Sequence, residues 1–336
     1  MQRNMKQWVA DTIAAPVKQP TPILSFPGVQ LLGINVRQLI SDSHLQAKGM
    51  QAVAQRVPSG AAVSLMDLSV EAECFGATIH VTDDEVPTVV GALVTCPEEA
   101  DALEIPAVGA ARSGIYVDAI ADAVELITDR PVFAGIIGPF TLAGRLMDVS
   151  EAMFYCYDEP EMVHTVLEKA TQFTISYCKA YKEAGANGVM MAEPLAGLLS
   201  PALAREFSHP YVKQIIDAIQ DDNFAVIYHN CGDNVALMKD DIYQIGAMGY
   251  HFGDAVKMTD MLPGAPDDAL VMGNVSPAQQ FLGGTPASMS ASTQEVMAQC
   301  CHKPNIDISS GCDIPPLSSW DNIDAFFAAA TRFYAG

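Results

Sequence analysis

Three side chains raise the question of chemistry in this sequence. His229 and Cys231 stand two apart in Val226-Ile227-Tyr228-His229-Asn230-Cys231-Gly232, and Cys312 stands late, in Ser309-Ser310-Gly311-Cys312-Asp313. Residues i and i+2 of an extended chain point the same way, so this imidazole and this thiolate can close on one ion. One His and two thiolates form a set that zinc accepts in a catalytic site, with a fourth position open or weakly held. A single cysteine after a strand is more often a small buried residue than a ligand. Spacing alone leaves both readings open. The two stretches share a layout, however: an apolar run, then a thiol beside a glycine.

The elements that would position these residues are legible as about eight short apolar runs, each followed by a helical stretch. The runs are Ile23–Ser25, Ala62–Asp67, Val132–Ile137, Val189–Ala192, Ala225–Tyr228, Tyr250–Phe252, Leu270–Met272 and Ile306–Ile308. Several are continuously apolar, as strands covered on both faces should be. The expected fold class is α/β: a single (β/α)8 TIM barrel over residues 1–336. A helical extension is expected over 1–20, and a β-hairpin insertion over 77–95, after the second strand. Helices are expected over Glu161–Glu183, over Pro201–Gln220 after the N-cap Ser200, and over Ser319–Tyr334. The hairpin reads either as a wall of the pocket or as surface decoration. Chemistry in such a barrel sits at the C-terminal strand ends. There the sequence places Asp67, Gly138, Glu193, His229 with Cys231, Asp254, Asn274 and Cys312, so the ligand-like side chains fall on one face.

Composition narrows the function. The net charge is −22, which argues against nucleic acid, since phosphate binding needs a basic footprint. It also disfavours anionic membrane surfaces. No uncharged apolar stretch is long enough to span a bilayer. The N-terminal Met1–Ala15 reads as a short amphipathic helix and not as a signal peptide. The eight cysteines show no regular spacing and no C-x-x-C, which points to a reducing, cytoplasmic compartment.

His229-Asn230-Cys231-Gly232, with Cys312 in Gly311-Cys312-Asp313-Ile314-Pro315-Pro316, resembles the zinc motif of the corrinoid-dependent methyltransferases of the uroporphyrinogen decarboxylase superfamily. The similarity runs from about Pro22 to the C-terminus and includes Met66–Glu73, Gly138–Ala143, Ala192-Glu193-Pro194 and Met272–Pro277. The resemblance implies transfer of a methyl group from a methylated corrinoid protein to a thiol such as coenzyme M, with Zn2+ as the metal. No Asp-x-His-x-x-Gly corrinoid motif occurs, so a partner is expected to carry the corrinoid; a homodimer is the assembly left open.

The chemistry follows from the ligand set. Zinc bound by two thiolates is a poor activator of water and well suited to hold a substrate thiol as thiolate. Free thiols have a pKa of roughly 8.5, and coordination deprotonates them outright. The sulfur then attacks the methyl group on cobalt, breaking the Co–C bond and leaving Co(I). Glu193 reads either as a fourth ligand or as a structural carboxylate. Asp67 and Asn274 could line the pocket and Asp254 could orient a ligand, with loop-bracing the commoner role for such side chains. His251 reads as structural.

Three other functions compete. A metal-free decarboxylase would need cationic side chains for a substrate with many carboxylates, yet Ser25–Gln30 carries no Arg and the first one after it is Arg37. A thiol-binding barrel with structural zinc would be expected to show four protein ligands. A folate-dependent methionine synthase shares the zinc logic but is longer and two-barrelled. No Arg or Lys stands immediately beside an expected strand end. No cradle for a sulfonate is therefore read, and the acceptor stays open between coenzyme M, another thiol and a non-thiol.

Overall fold

The computed structural model describes residues 3–335; Met1, Gln2 and Gly336, the outermost positions of the expected 1–336 domain, lie outside them. The strands in chain order are β1 (Ala62–Val63), β2 (Thr78–His80), β3 (Thr88–Val90), β4 (Val132–Ile137), β5 (Gly188–Ala192), β6 (Ala225–Asn230), β7 (Gly249–Phe252), β8 (Leu270–Val275) and β9 (Ile306–Ser310). Seven of them form one parallel sheet in the order β1-β4-β5-β6-β7-β8-β9, and β2 pairs with β3 in a separate antiparallel hairpin. The sheet curls with helices outside it, an α/β fold of TIM-barrel type.

Expectation and structure differ at the first strand. Ile23–Ser25 is buried but joins no ladder. Its segment still fills the gap between the sheet's edges. The Thr21 amide donates to the Ile308 carbonyl at 3.2 Å, the Ile23 amide donates to Ser310 Oγ at 3.0 Å, and the Gly60 amide donates to the Pro20 carbonyl at 3.0 Å. Pro20 and Pro22 have no amide hydrogen to give a ladder, and serine side chains take over part of the pairing. The second strand is shorter than expected for a similar reason. Beyond Val63, Ser64 Oγ accepts from the Gly135 amide and displaces a ladder partner.

Alternation sorts the side chains of the sheet. On β6, Ala225 and Ile227 face a small interior core together with Phe133, Met190, Ala192, Leu270 and Met272. Val226 and Tyr228 face the helices in the main core. His229 has the parity of Ile227, so the pleat carries it inward. On β7 and β9 the same rule turns His251, Asp307 and Ser309 inward, since Tyr250, Phe252 and Ile306 pack outward. The N-terminal helix Met5–Ala14 closes the opposite end of the barrel. Met5 and Val9 join the interior core, and the Met5 amide donates to the carbonyl of Asp222, just before β6.

The expected helix Pro201–Gln220 is two helices, Pro201–Phe207 and His209–Ile219, broken at Ser208. Pro210 is the cause: it lacks an amide hydrogen, and its ring would clash with the carbonyl four residues back. Pro160–Glu183 and Trp320–Ala335 form as expected. The hairpin pairs Thr78 with Val90 and His80 with Thr88. Arg37 clamps its tip through Asp83 Oδ1 at 2.8 Å and the Val81 carbonyl at 2.7 Å. Among the described residues no helix is long and apolar enough to cross a membrane.

Candidate metal centre

His229, Cys231 and Cys312 converge. Their ligand atoms all lie within 4.8 Å of one another, and they are the one such group of three or more His, Cys, Asp or Glu among the described residues. Cys312 Sγ lies 3.4 Å from His229 Nε2 and 3.9 Å from Cys231 Sγ. Tetrahedral zinc, with Zn–S of about 2.3 Å and Zn–N of about 2.05 Å, sets S···S near about 3.8 Å and S···N near about 3.6 Å. The two measured edges match within a few tenths of an ångström. The sulfurs are far beyond the roughly 2.05 Å of a disulfide, so the donor set fits zinc.

Glycines bring the chain close enough for this. A Cβ on Gly253, in the loop after β7, would stand 2.3 Å from Cys231 Cβ. One on Gly232 would meet the backbone of Gly197 at 2.5 Å. Asn230, the last residue of β6, turns the chain between His229 and Cys231: its Oδ1 accepts from the Gly232 amide at 3.0 Å. Cys312 is set by Gly311, whose amide donates to the Val275 carbonyl at 2.7 Å.

A relay behind His229 fixes its tautomer. The Thr21 carbonyl can only accept, so Ser309 Oγ donates its hydrogen there, at 2.8 Å. Ser309 Oγ must then accept from His251 Nε2–H, at 2.7 Å. That leaves His251 Nδ1 as the acceptor for His229 Nδ1–H, at 2.8 Å. His229 Nε2 therefore carries a free lone pair, on the side where Cys312 lies. Burial, and then the neighbouring His229, hold His251 well below the ordinary histidine range, so it stays neutral as the relay requires. A ligating histidine whose other nitrogen is anchored in this way is the usual arrangement at metal sites. The sequence showed His251 only as a lone residue; its pairing with His229 is set by the β6–β7 register.

The two thiols push each other's acidity in opposite directions. A hydrogen bond from Cys312 lowers Cys231, while that same bond and burial push Cys312 up. A dication at the centre would remove the conflict by stabilising both thiolates.

The other expected site residues are placed differently. Glu193 is fully buried, and its carboxylate caps helix Pro139–Met147: Oε1 accepts from the Phe140 amide and Oε2 from the Thr141 amide, both at 2.8 Å, with Ser208 Oγ donating to Oε1 at 3.2 Å. Burial pushes the carboxyl up to about 7 against these donors. It does not belong to the three-residue group. Asp67 is buried in a network with Arg112, Tyr116 and Ser69. Asn274 Nδ2 donates to the Gly253 and Val256 carbonyls at 2.8 and 2.6 Å, bracing the loop that backs Cys231. Asp254 is exposed and packs against Gly311, where an added Cβ would meet its Oδ1 at 2.8 Å.

The centre opens into a cavity of about 460 Å³ lined by His229, Cys231 and Cys312, by Asp84–Val89 of the hairpin connection, and by Asp313 with Pro315–Leu317. The hairpin is thus a wall of the pocket. Arg145, on helix Pro139–Met147, also lines the cavity. It stands well past the strand end, so the rule that searches strand ends did not find it.

Known proteins resemble this chain over most of its length. A methylcobamide:CoM methyltransferase of Methanosarcina barkeri is 27% identical over 281 residues, covering 80% of this chain and 78% of that one. A uroporphyrinogen decarboxylase of Coxiella burnetii is 27% identical over 292 residues, covering 83% and 79%. The solved structure of a methyltransferase from Methanosarcina mazei superposes with a TM-score of 0.86 at 23% identity, covering 99% of both chains. A B12-independent methionine synthase from Shewanella follows at 0.60 and 10%, covering 95% of this chain and 96% of that one. The family described as uroporphyrinogen decarboxylase matches residues 6–333, and the chain belongs to that family.

Proposed function

We propose that this chain is a zinc-dependent methyltransferase that moves a methyl group from a methylated corrinoid protein to a thiol acceptor. The observation that carries the reading is the centre itself: one imidazole with a free Nε2 and two thiols, with both separations from Cys312 close to tetrahedral spacing, at the wall of a cavity sized for a small molecule. His229, Cys231 and Cys312 would hold the zinc, which would supply the positive charge that keeps the acceptor's thiol deprotonated. His251, Ser309 and Thr21 orient His229. The hairpin connection and Pro315-Pro316 shield the centre from bulk water. Glu193, Asp67 and Asn274 act as positioning residues, through a helix and two loops.

The donor is presented at the mouth. The corrinoid's methyl face is brought to the rim of the cavity. Leu198, Leu237, Leu282 and Leu317 are exposed and follow β5, β6, β8 and β9, the strand ends that surround the mouth. Apolar side chains around an opening suit protein docking. The names of several relatives, methylcobamide:CoM methyltransferases among them, support the same donor and acceptor classes.

The family also contains decarboxylases, and one is as similar to this chain. The cavity's charge speaks against that activity. It offers one cationic side chain, Arg145, beside the acids Asp84 and Glu85 and beside Asp313, whose carboxyl burial holds well above the usual carboxylate range, a poor match for a substrate with many carboxylates. The direct test is zinc-loaded protein with free methylcobalamin and a thiol, followed by cobalamin absorbance. The expected result is demethylation that requires thiol and vanishes in Cys312→Ala. Thiol-independent decarboxylation of a porphyrinogen, with methylcobalamin untouched, would replace the reading.

A further inference from the structure

Arginine in this protein is almost always satisfied from within. Arg3, Arg37, Arg56, Arg112, Arg130, Arg205 and Arg332 each donate to a carbonyl, hydroxyl or carboxylate. Arg145 is the exception: among the described residues it makes no hydrogen bond and no ion pair. Its Nε is fully shielded from solvent and has no partner. Burial alone depresses its basicity, with no carboxylate near enough to oppose that. An Nε–H held this way forgoes hydration without compensation, which costs free energy. In a chain with 40 acidic and 18 basic residues, such an arrangement is not for want of carboxylates.

Its position supplies a reason. Arg145 lines the cavity that the metal centre also lines, so one small molecule can reach both. Helix Pro139–Met147 is fixed at its start by Glu193, through the Phe140 and Thr141 amides. Arg145 lies one turn beyond Thr141, on a rigid support. The guanidinium fork matches a carboxylate or sulfonate through paired N–H donors.

Resting on the methyl-transfer reading, we propose that Arg145 is the specificity-determining residue for the acceptor: it binds an anionic group at the end of the thiol opposite the sulfur. The acceptor class is then a short thiol with a sulfonate or carboxylate terminus.

The test compares 2-mercaptoethanesulfonate and 3-mercaptopropionate with neutral 2-mercaptoethanol, using zinc-loaded full-length protein and free methylcobalamin. Wild type should favour the anionic thiols in kcat/KM by about 10- to 100-fold, the range of a charge-assisted hydrogen bond. In Arg145→Met the ratio should fall to near one, with Arg145→Lys between. The neutral thiol reports, within each variant, that the protein is folded and loaded. Binding of ethanesulfonate, which has no thiol, is measured separately by calorimetry and should weaken in Arg145→Met by a similar factor. If no thiol is methylated, the function reading falls, and ethanesulfonate binding still decides the role of Arg145. Unchanged discrimination together with unchanged ethanesulfonate binding in Arg145→Met overturns the inference. So does a raised KM for methylcobalamin with discrimination intact, which would assign Arg145 to the donor.

Discussion

Two polar clusters stand at the C-terminal ends of this sheet, and they are built on opposite terms. After β1, Asp67 accepts from Arg112, Tyr116, Ser69 Oγ and the Ser69 amide, and Arg112 also donates to Glu73. Its donors and acceptors satisfy one another. After β6 and β9, His229 Nε2 and two thiols face each other with no carboxylate among them and a cavity in front. Each ligand is anchored from behind and left free at the reactive atom. The same contrast separates Arg112 from Arg145, and Glu193 from the three ligands. A strand-end position marks where chemistry is allowed; unused hydrogen-bonding and ligating capacity sets the candidate centre apart from the braced residues.

The comparison is broken most severely by removing a ligand. Cys231→Ala and Cys312→Ala should each reduce zinc from one per chain to a trace and methyl transfer by at least about a thousandfold, with the fold kept by circular dichroism. Metal analysis beside the rate assay checks both. The closed cluster should respond in the opposite sense. Arg112→Met leaves Asp67 buried without its cation and should cost about 3–5 kcal/mol of stability. Zinc content per folded molecule should stay unchanged, which urea unfolding and metal analysis would show.

Asp307 lies between the two extremes. Thr21 Oγ1 donates to its Oδ2 at 2.7 Å, while its Oδ1 is buried without a partner. Burial pushes its pKa up to about 7. The folded state therefore binds this proton more tightly than the unfolded chain does. The associated stability is present below pH 4 and is lost as pH rises through 7. Asp307→Asn removes the dependence. Its stability relative to wild type should rise between pH 4 and pH 8 by on the order of 2–4 kcal/mol, read from urea midpoints. The smallest effect belongs to the relay. His251→Phe leaves His229 Nδ1–H without its acceptor and should weaken zinc by about 10- to 100-fold in a chelator competition. An unchanged affinity would make the relay a packing feature.

Much of this was legible in the sequence, where a local signal sufficed. Val132–Ile137 forms a strand to the residue because Pro131 and Gly138-Pro139 bound a continuous apolar run. His229 and Cys231 were legible from their spacing on an extended chain. Ile23–Ser25 was misread because apolarity was weighed and the missing proline amides were not. The helix break at Ser208 was signalled by Pro210 and overlooked. His251 and Arg145 could not be found locally. One owes its partner to a strand register and the other owes its cavity to a helix that starts at a strand end and carries the residue well beyond it. Glu193 was found, but nothing in Ala192-Glu193-Pro194 says that its oxygens face the amides of a neighbouring helix.

The central claim is that the acceptor's sulfur joins His229, Cys231 and Cys312 on one zinc ion. X-ray absorption at the zinc edge counts sulfur neighbours directly. Without thiol, the zinc-loaded protein should show two sulfur ligands and one imidazole. With saturating 2-mercaptoethanesulfonate the count should rise to three, with a Zn–S distance near about 2.3 Å. A count that stays at two while methyl transfer to the thiol proceeds would contradict the account.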